Sequence, residues 1–125
     1  MPVIEIRALP QAEGVDVSAV IRAVSVRVAE AMRIPPQQVW VTWTTIEPGN
    51  YCEGDDERDI QPGATHPPIA DIVSFEGQDD ATIERILKTI ADTLVEHLQL
   101  TEGAPFVSYT EARKGRVYTG GRVRR

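Results

Sequence analysis

The sequence repeats itself at a fixed offset of 66 residues, without a gap. Pro2 falls on Pro68, Glu5 on Asp71 and Ile6 on Ile72. The apolar set Val17, Val20, Ile21, Val24, Val28, Met32 and Ile34 falls on Ile83, Ile86, Leu87, Ile90, Leu94, Leu98 and Leu100. "VTWTTIEPGNYCEGD" falls on "VSYTEARKGRVYTGG", matching Trp43 to Tyr109, Gly49 to Gly115 and Gly54 to Gly120. Identities are few, but the apolar pattern and the glycines keep register through both halves. A chain built from two copies of one supersecondary unit has few folds open to it.

Each copy reads strand, helix, strand. Residues 3–9 and 69–75 are short β-branched apolar runs, and 39–46 and 106–111 are return strands. Residues 16–33 and 79–99 carry apolar positions at the spacing of an amphipathic helix. Asp16 or Ser18 is placed to cap the first helix, and Asp79 or Asp80 the second. "IPP" at 34–36 stops the first, because proline disfavours helical geometry in the residue before it. A strand–helix–strand unit with parallel strands crosses over right-handed. The expected fold is therefore α+β: two tandem βαβ units forming a four-stranded sheet with two helices on one face. One domain spans 1–125, with repeats at 2–59 and 68–125 and a linker at about 55–68. Trp40, Thr42, Thr44, Phe106, Ser108 and Thr110 alternate with Val39, Val41, Trp43, Val107 and Tyr109 along the return strands. Neither side is plainly polar, so the sheet face away from the helices is expected to be covered by assembly.

At 125 residues, 42% hydrophobic and 26% charged, the chain has an ordinary globular composition. A net charge of −6 argues against nucleic acid as a partner. The four arginines of "RVYTGGRVRR" are read as paired with the acidic run Asp55–Asp59 or solvated. The single Cys52 excludes an internal disulfide and fits a reducing, cytoplasmic setting. No apolar run approaches a membrane span, so no membrane role is expected. "MPVIEIRALP" lacks the basic and apolar regions of a signal peptide. Metal ligands do not cluster, and no metal or cofactor is expected. His66, alone in the Pro-rich linker "DDERDIQPGATHPP", reads as an exposed loop residue.

Pro2 stands directly after Met1. Aminopeptidases remove an initiator Met before a small residue, which here would leave a secondary amine at the head of a strand. An α-amine has a reference pKa of about 7.7–8.0 and titrates near neutrality. Pro68 is its counterpart, but a mid-chain proline nitrogen is an amide with no basic lone pair. Only one of the two equivalent positions is capable of base chemistry.

The Met-Pro strand, the tandem βαβ units and the Gly-rich hairpins together resemble the tautomerase superfamily. "YTEARKGRVYTGG" is similar to the segment ending the 4-oxalocrotonate tautomerase subunit, and "RIPPQQVWV" to the helix-to-strand connection of macrophage migration inhibitory factor. The resemblance covers nearly the whole chain. It implies a homotrimer with sites at subunit interfaces. It also implies that Pro2 acts as general base on a small enol or 2-keto acid. In the dehalogenase, hydratase and decarboxylase branches the proline acts instead as an acid. A non-catalytic trimeric binding protein is the alternative from another class. Carried over position by position, the family's hairpin aromatic corresponds to Tyr51. Its carboxylate-binding arginine on the return strand corresponds to Trp40 and Phe106. Its interfacial Tyr and Asn correspond to Phe106 and Ser108, and its lysine falls on Ile34, beside Arg33. The usual arginines are thus replaced, which leaves Arg7, Arg33, Lys114 and Arg116 as substitutes. Tyr51, Trp40, Phe106, Ser108 and Arg33 form the expected substrate-binding set, with Phe106 and Ser108 from a neighbouring subunit.

Overall fold

The computed structural model describes residues 1–125. Two strand–helix–strand units follow one another, as the repeat requires. The first contains β1 (Val3–Ala8), α1 (Val17–Met32), a 3-10 turn at Pro36–Gln38 and β2 (Trp40–Thr45). Its hairpin pairs β3 (Cys52–Glu53) with β4 (Asp56–Glu57). The second contains β5 (Ile69–Phe75), α2 (Asp80–Leu98) and β6 (Phe106–Ala112), then a hairpin of β7 (Val117–Thr119) and β8 (Arg122–Arg124).

The sheet runs β2-β1-β5-β6. Each unit supplies a parallel pair, β1 with β2 and β5 with β6. The two units join through an antiparallel β1–β5 pair in which Val3 faces Val73 and Arg7 faces Ile69. This join relates the units by an approximate two-fold axis and puts equivalent residues at opposite ends of the sheet.

Both helices pack on one face. Ile4, Ile6, Ala70 and Ile72 point into the core, where Val20, Val24, Val28, Ile86, Ile90 and Leu94 meet them, all buried. Helix starts follow from local chemistry. The Asp16 carboxylate accepts from the Ala19 N–H at 3.3 Å, and Asp79 from Thr82 N–H at 2.8 Å. Each such cap contributes about 1 kcal/mol. Both helices end on a non-glycine residue in the left-handed region, Arg33 (φ 57°) and Gln99 (φ 56°). The far face of the sheet leaves Trp40 50% and Phe106 59% exposed, an unusual setting for large aromatics.

One expectation is corrected. His66 is buried, because the linker folds back over the first hairpin and drops the ring beneath Tyr51, edge-on at 5.3 Å. The Asp56 carbonyl accepts from Nε2 at 2.6 Å, which leaves Nδ1 to accept from the Thr65 hydroxyl at 2.9 Å. Of the two readings of the basic tail, solvation stands for Arg122 and Arg125, which are exposed, and no tail arginine pairs with the Asp55–Asp59 run. Arg58 pairs with Asp56 inside that run, while the tail's β8 lies at the other end of the sheet.

Candidate active site at the head of strand β1

Pro2 is buried. A residue without an N–H fits the first position of a strand, and the Pro2 carbonyl accepts from Trp40 N–H at 3.0 Å. Pro68 repeats this bond with Phe106 N–H, also at 3.0 Å. The antiparallel join places the two prolines at opposite ends of the sheet.

A cavity of about 650 Å³ opens at the Pro2 end. Met1 forms part of it, with Gln37 and Gln38 from the turn before β2, Trp40 from β2 and Phe75 from the end of β5. The last hairpin closes it with Thr119, Gly120 and Arg124. Burial, and secondarily the Arg124 charge, hold the Met1 amine below the ordinary α-amine pKa. Withdrawing water from an ammonium and placing a guanidinium near it both favour the neutral amine, the form that accepts a proton.

Of the expected set, only Trp40 lines this cavity within one chain, its indole N–H donating to the Gln37 carbonyl at 3.2 Å. Tyr51 and Phe106 lie at the Pro68 end. The Tyr51 hydroxyl donates to the Pro67 carbonyl at 2.6 Å, and burial followed by the Glu53 charge pushes its pKa up. Ser108 sits on the edge strand β6, its hydroxyl donating to the Asp71 carboxylate at 2.8 Å. Arg33 caps α1 on the helix layer, in a surface cleft with Arg27 and Arg85. Nor do the other substitute cations reach the cavity: Arg7 faces Thr44 and Ile69, Arg116 donates to its neighbour's carbonyl, and Lys114 lies beside Glu76. Sequence reasoning missed Phe75, Gln37, Gln38, Thr119 and Arg124. No sequence signal points to them, because the antiparallel β1–β5 pairing is what brings the last hairpin to this end.

Solved structures match nearly the whole chain at low identity. Pt0534, solved after inactivation by 2-oxo-3-pentynoate, superposes with a TM-score of 0.85 at 15% identity, over 98% of this chain and 94% of that one. A wild-type asymmetric trimer of a fused 4-OT gives 0.82 at 18%, over 97% and 94%. Macrophage migration inhibitory factor from Oncomelania hupensis gives 0.77 at 14%, over 100% and 83%. The chain has the tautomerase-superfamily fold. No protein-family model and no curated protein matches the sequence itself. The tautomerase fold therefore rests on shape, and the Pro2 cavity on this chain's own side chains.

Proposed function

We propose that the protein is a tautomerase-type enzyme in which Pro2, once Met1 is removed, is the general base. The observation that carries this is a buried proline directly after Met1, heading a strand at the end of the sheet where a cavity opens. In the reaction, the proline nitrogen takes the hydroxyl proton of a small enol. The oxygen's electrons form the carbonyl, and the double-bond pair takes the proton back from the prolinium at carbon. No cofactor enters and the atoms balance. With Met1 in place Pro2 is an amide, and the fold serves only to bind.

Two measurements test this. Intact mass of protein from its natural host is expected to lack the Met. With phenylpyruvate enol as substrate, kcat/KM is expected to rise with pH through an apparent pKa below about 7.7–8.0 and then level off. The sign follows from the cause: a depressed amine pKa extends the free-base form to lower pH. Full mass, or a rate that follows a group above that range, counts against Pro2.

The protein is further proposed to be a homotrimer, with Phe106 and Ser108 meeting a neighbour's Pro2 end. The exposed Trp40 and Phe106 on the sheet face, and the trimeric fused 4-OT of like fold, support this. Sedimentation equilibrium is expected to give three times the 13.8 kDa of one chain. A stable monomer at micromolar concentration would remove both the trimer and the shared site.

A further inference from the structure

We propose that the two hairpins are the two halves of one contact between copies of this chain, the basic last hairpin of one protomer seated against the acidic first hairpin of the next. The inference deepens the proposed self-assembly and rests on it. At the offset of 66, residues 47–59 fall on residues 113–125. The first segment carries Glu47, Glu53, Asp55, Asp56, Glu57 and Asp59 against Arg58 alone. The second carries Arg113, Lys114, Arg116, Arg122, Arg124 and Arg125 and no acid. Six acids with one arginine give −5, and six bases give +6, in a chain whose total is −6. Blocks of like charge at this density repel within themselves and commonly mark interaction segments.

The fold keeps the two segments apart within one chain. The antiparallel β1–β5 join puts the first hairpin at the Pro68 end, where the Tyr51 hydroxyl donates to the Pro67 carbonyl, and the last hairpin at the Pro2 end. Of the charged residues in both segments only Arg58 and Asp56 form an ion pair, and they pair with each other. Apolar groups stand among the unanswered charges. Tyr118 and Val123, directly opposed across β7 and β8, are 71% and 38% exposed, and Ile60, next to the acidic run, is 57% exposed. Apolar side chains inside a charged rim suit a protein partner. Two copies meeting last hairpin to last hairpin, or first to first, would set like charges together, which opposes association. Last against first matches the signs. Such a contact is head-to-tail, and repeating it closes a ring where the rotation at each step allows. It runs in the direction proposed for Phe106, which lies at the Pro68 end and meets a neighbour's Pro2 end. An anionic lipid surface would use the basic hairpin alone. It gives no account of the matching acidic one, and the rest of this acidic chain repels it.

Sedimentation over a dilution series tests the contact, with exposed charges reversed on each side. Arg113→Glu, Arg116→Glu, Arg122→Glu and Arg125→Glu together make both hairpins acidic. Glu47→Lys, Asp55→Lys, Glu57→Lys and Asp59→Lys together make both basic, and the eight changes combined swap the signs. Each one-sided reversal is expected to raise the protomer concentration at half-dissociation about 10-fold or more. The sign swap is expected to bring it back to within about 3-fold of wild type. In wild type, raising sodium chloride from about 20 mM to about 500 mM is expected to weaken assembly, because salt shortens the reach of exposed charge. Circular dichroism matching wild type is the control for folding, and the salt series needs no variant. Assembly unmoved by either reversal, a loss that the sign swap does not recover, a salt-insensitive wild type, or a monomer at low salt would each overturn the proposal. Phosphatidylserine vesicles report the other occupant: reversal of the basic hairpin that abolishes vesicle binding and leaves assembly unchanged would also overturn it. The two readings separate. A trimer that ignores both reversals keeps the trimer and loses the hairpin contact. A salt-dissociated assembly of another size, recovered by the sign swap, keeps the contact and loses the trimer.

Discussion

Met-processed Pro2→Ala is expected to lose about a hundredfold in phenylpyruvate kcat/KM while keeping its assembly state. General-base catalysis contributes roughly 10²–10⁴ in rate. Alanine retains a terminal amine, so the loss falls at the lower end of that range. What alanine gives up is the ring that holds the nitrogen at one angle, and with it a fixed orientation of the base. The carbonyl at position 2 still accepts from Trp40 N–H, so β1 keeps its pairing with β2. The measurement is the rate under kcat/KM conditions, with sedimentation as the control for folding and assembly. An unchanged rate, or a pH profile that follows a histidine, would show that proline heads this strand only because a strand's first residue needs no N–H.

Leu94→Ala is expected to have the largest effect on stability. Leu94 is fully buried on α2, in the cluster that includes Ile72, Val28 and Ile90. Its truncation removes apolar contact and leaves a cavity that a close-packed interior closes only in part, costing about 2–5 kcal/mol. Against a total of about 5–15 kcal/mol that is a large share, and Tm is expected to fall by roughly 10 °C or more. Urea unfolding of wild type and variant at one protomer concentration measures it, since assembly makes apparent stability concentration-dependent. Glu84→Ala, exposed on the same helix, is expected to stay within about 0.5 kcal/mol. A Leu94→Ala loss no greater than that of Glu84→Ala would mean that α2 does not anchor the core.

Local pattern made most of the fold legible. The helix stripes, the Asp16 and Asp79 caps, the strand runs and the tandem arrangement all depend on residues a few places apart, and all lie where the pattern put them within a residue or two. Of the candidate site, the sequence offered the Met-Pro start and, among the residues lining the cavity, Trp40. His66 shows where such reading stops. Nothing in "ATHPP" tells that the linker will fold back over a hairpin and enclose the ring, because the enclosing atoms come from Tyr51 and Asp56, more than nine residues away.

The sequence by itself determined that this chain is two βαβ units and that Pro68, in mid-chain, carries an amide nitrogen. Only the tertiary structure decided which residues surround Pro2. The two units associate through an antiparallel β1–β5 pair, and that choice turns the second unit end for end. It carries the last hairpin, with Gly120 and Arg124, to Pro2, and leaves Tyr51 and Arg58 with Pro68. Hydrophobic spacing specifies which face of a strand is buried, and it is the same for a parallel or an antiparallel neighbour. The direction of that one pairing, and with it the hairpin that meets the head of β1, is set by how the two units' helices and strand edges pack together.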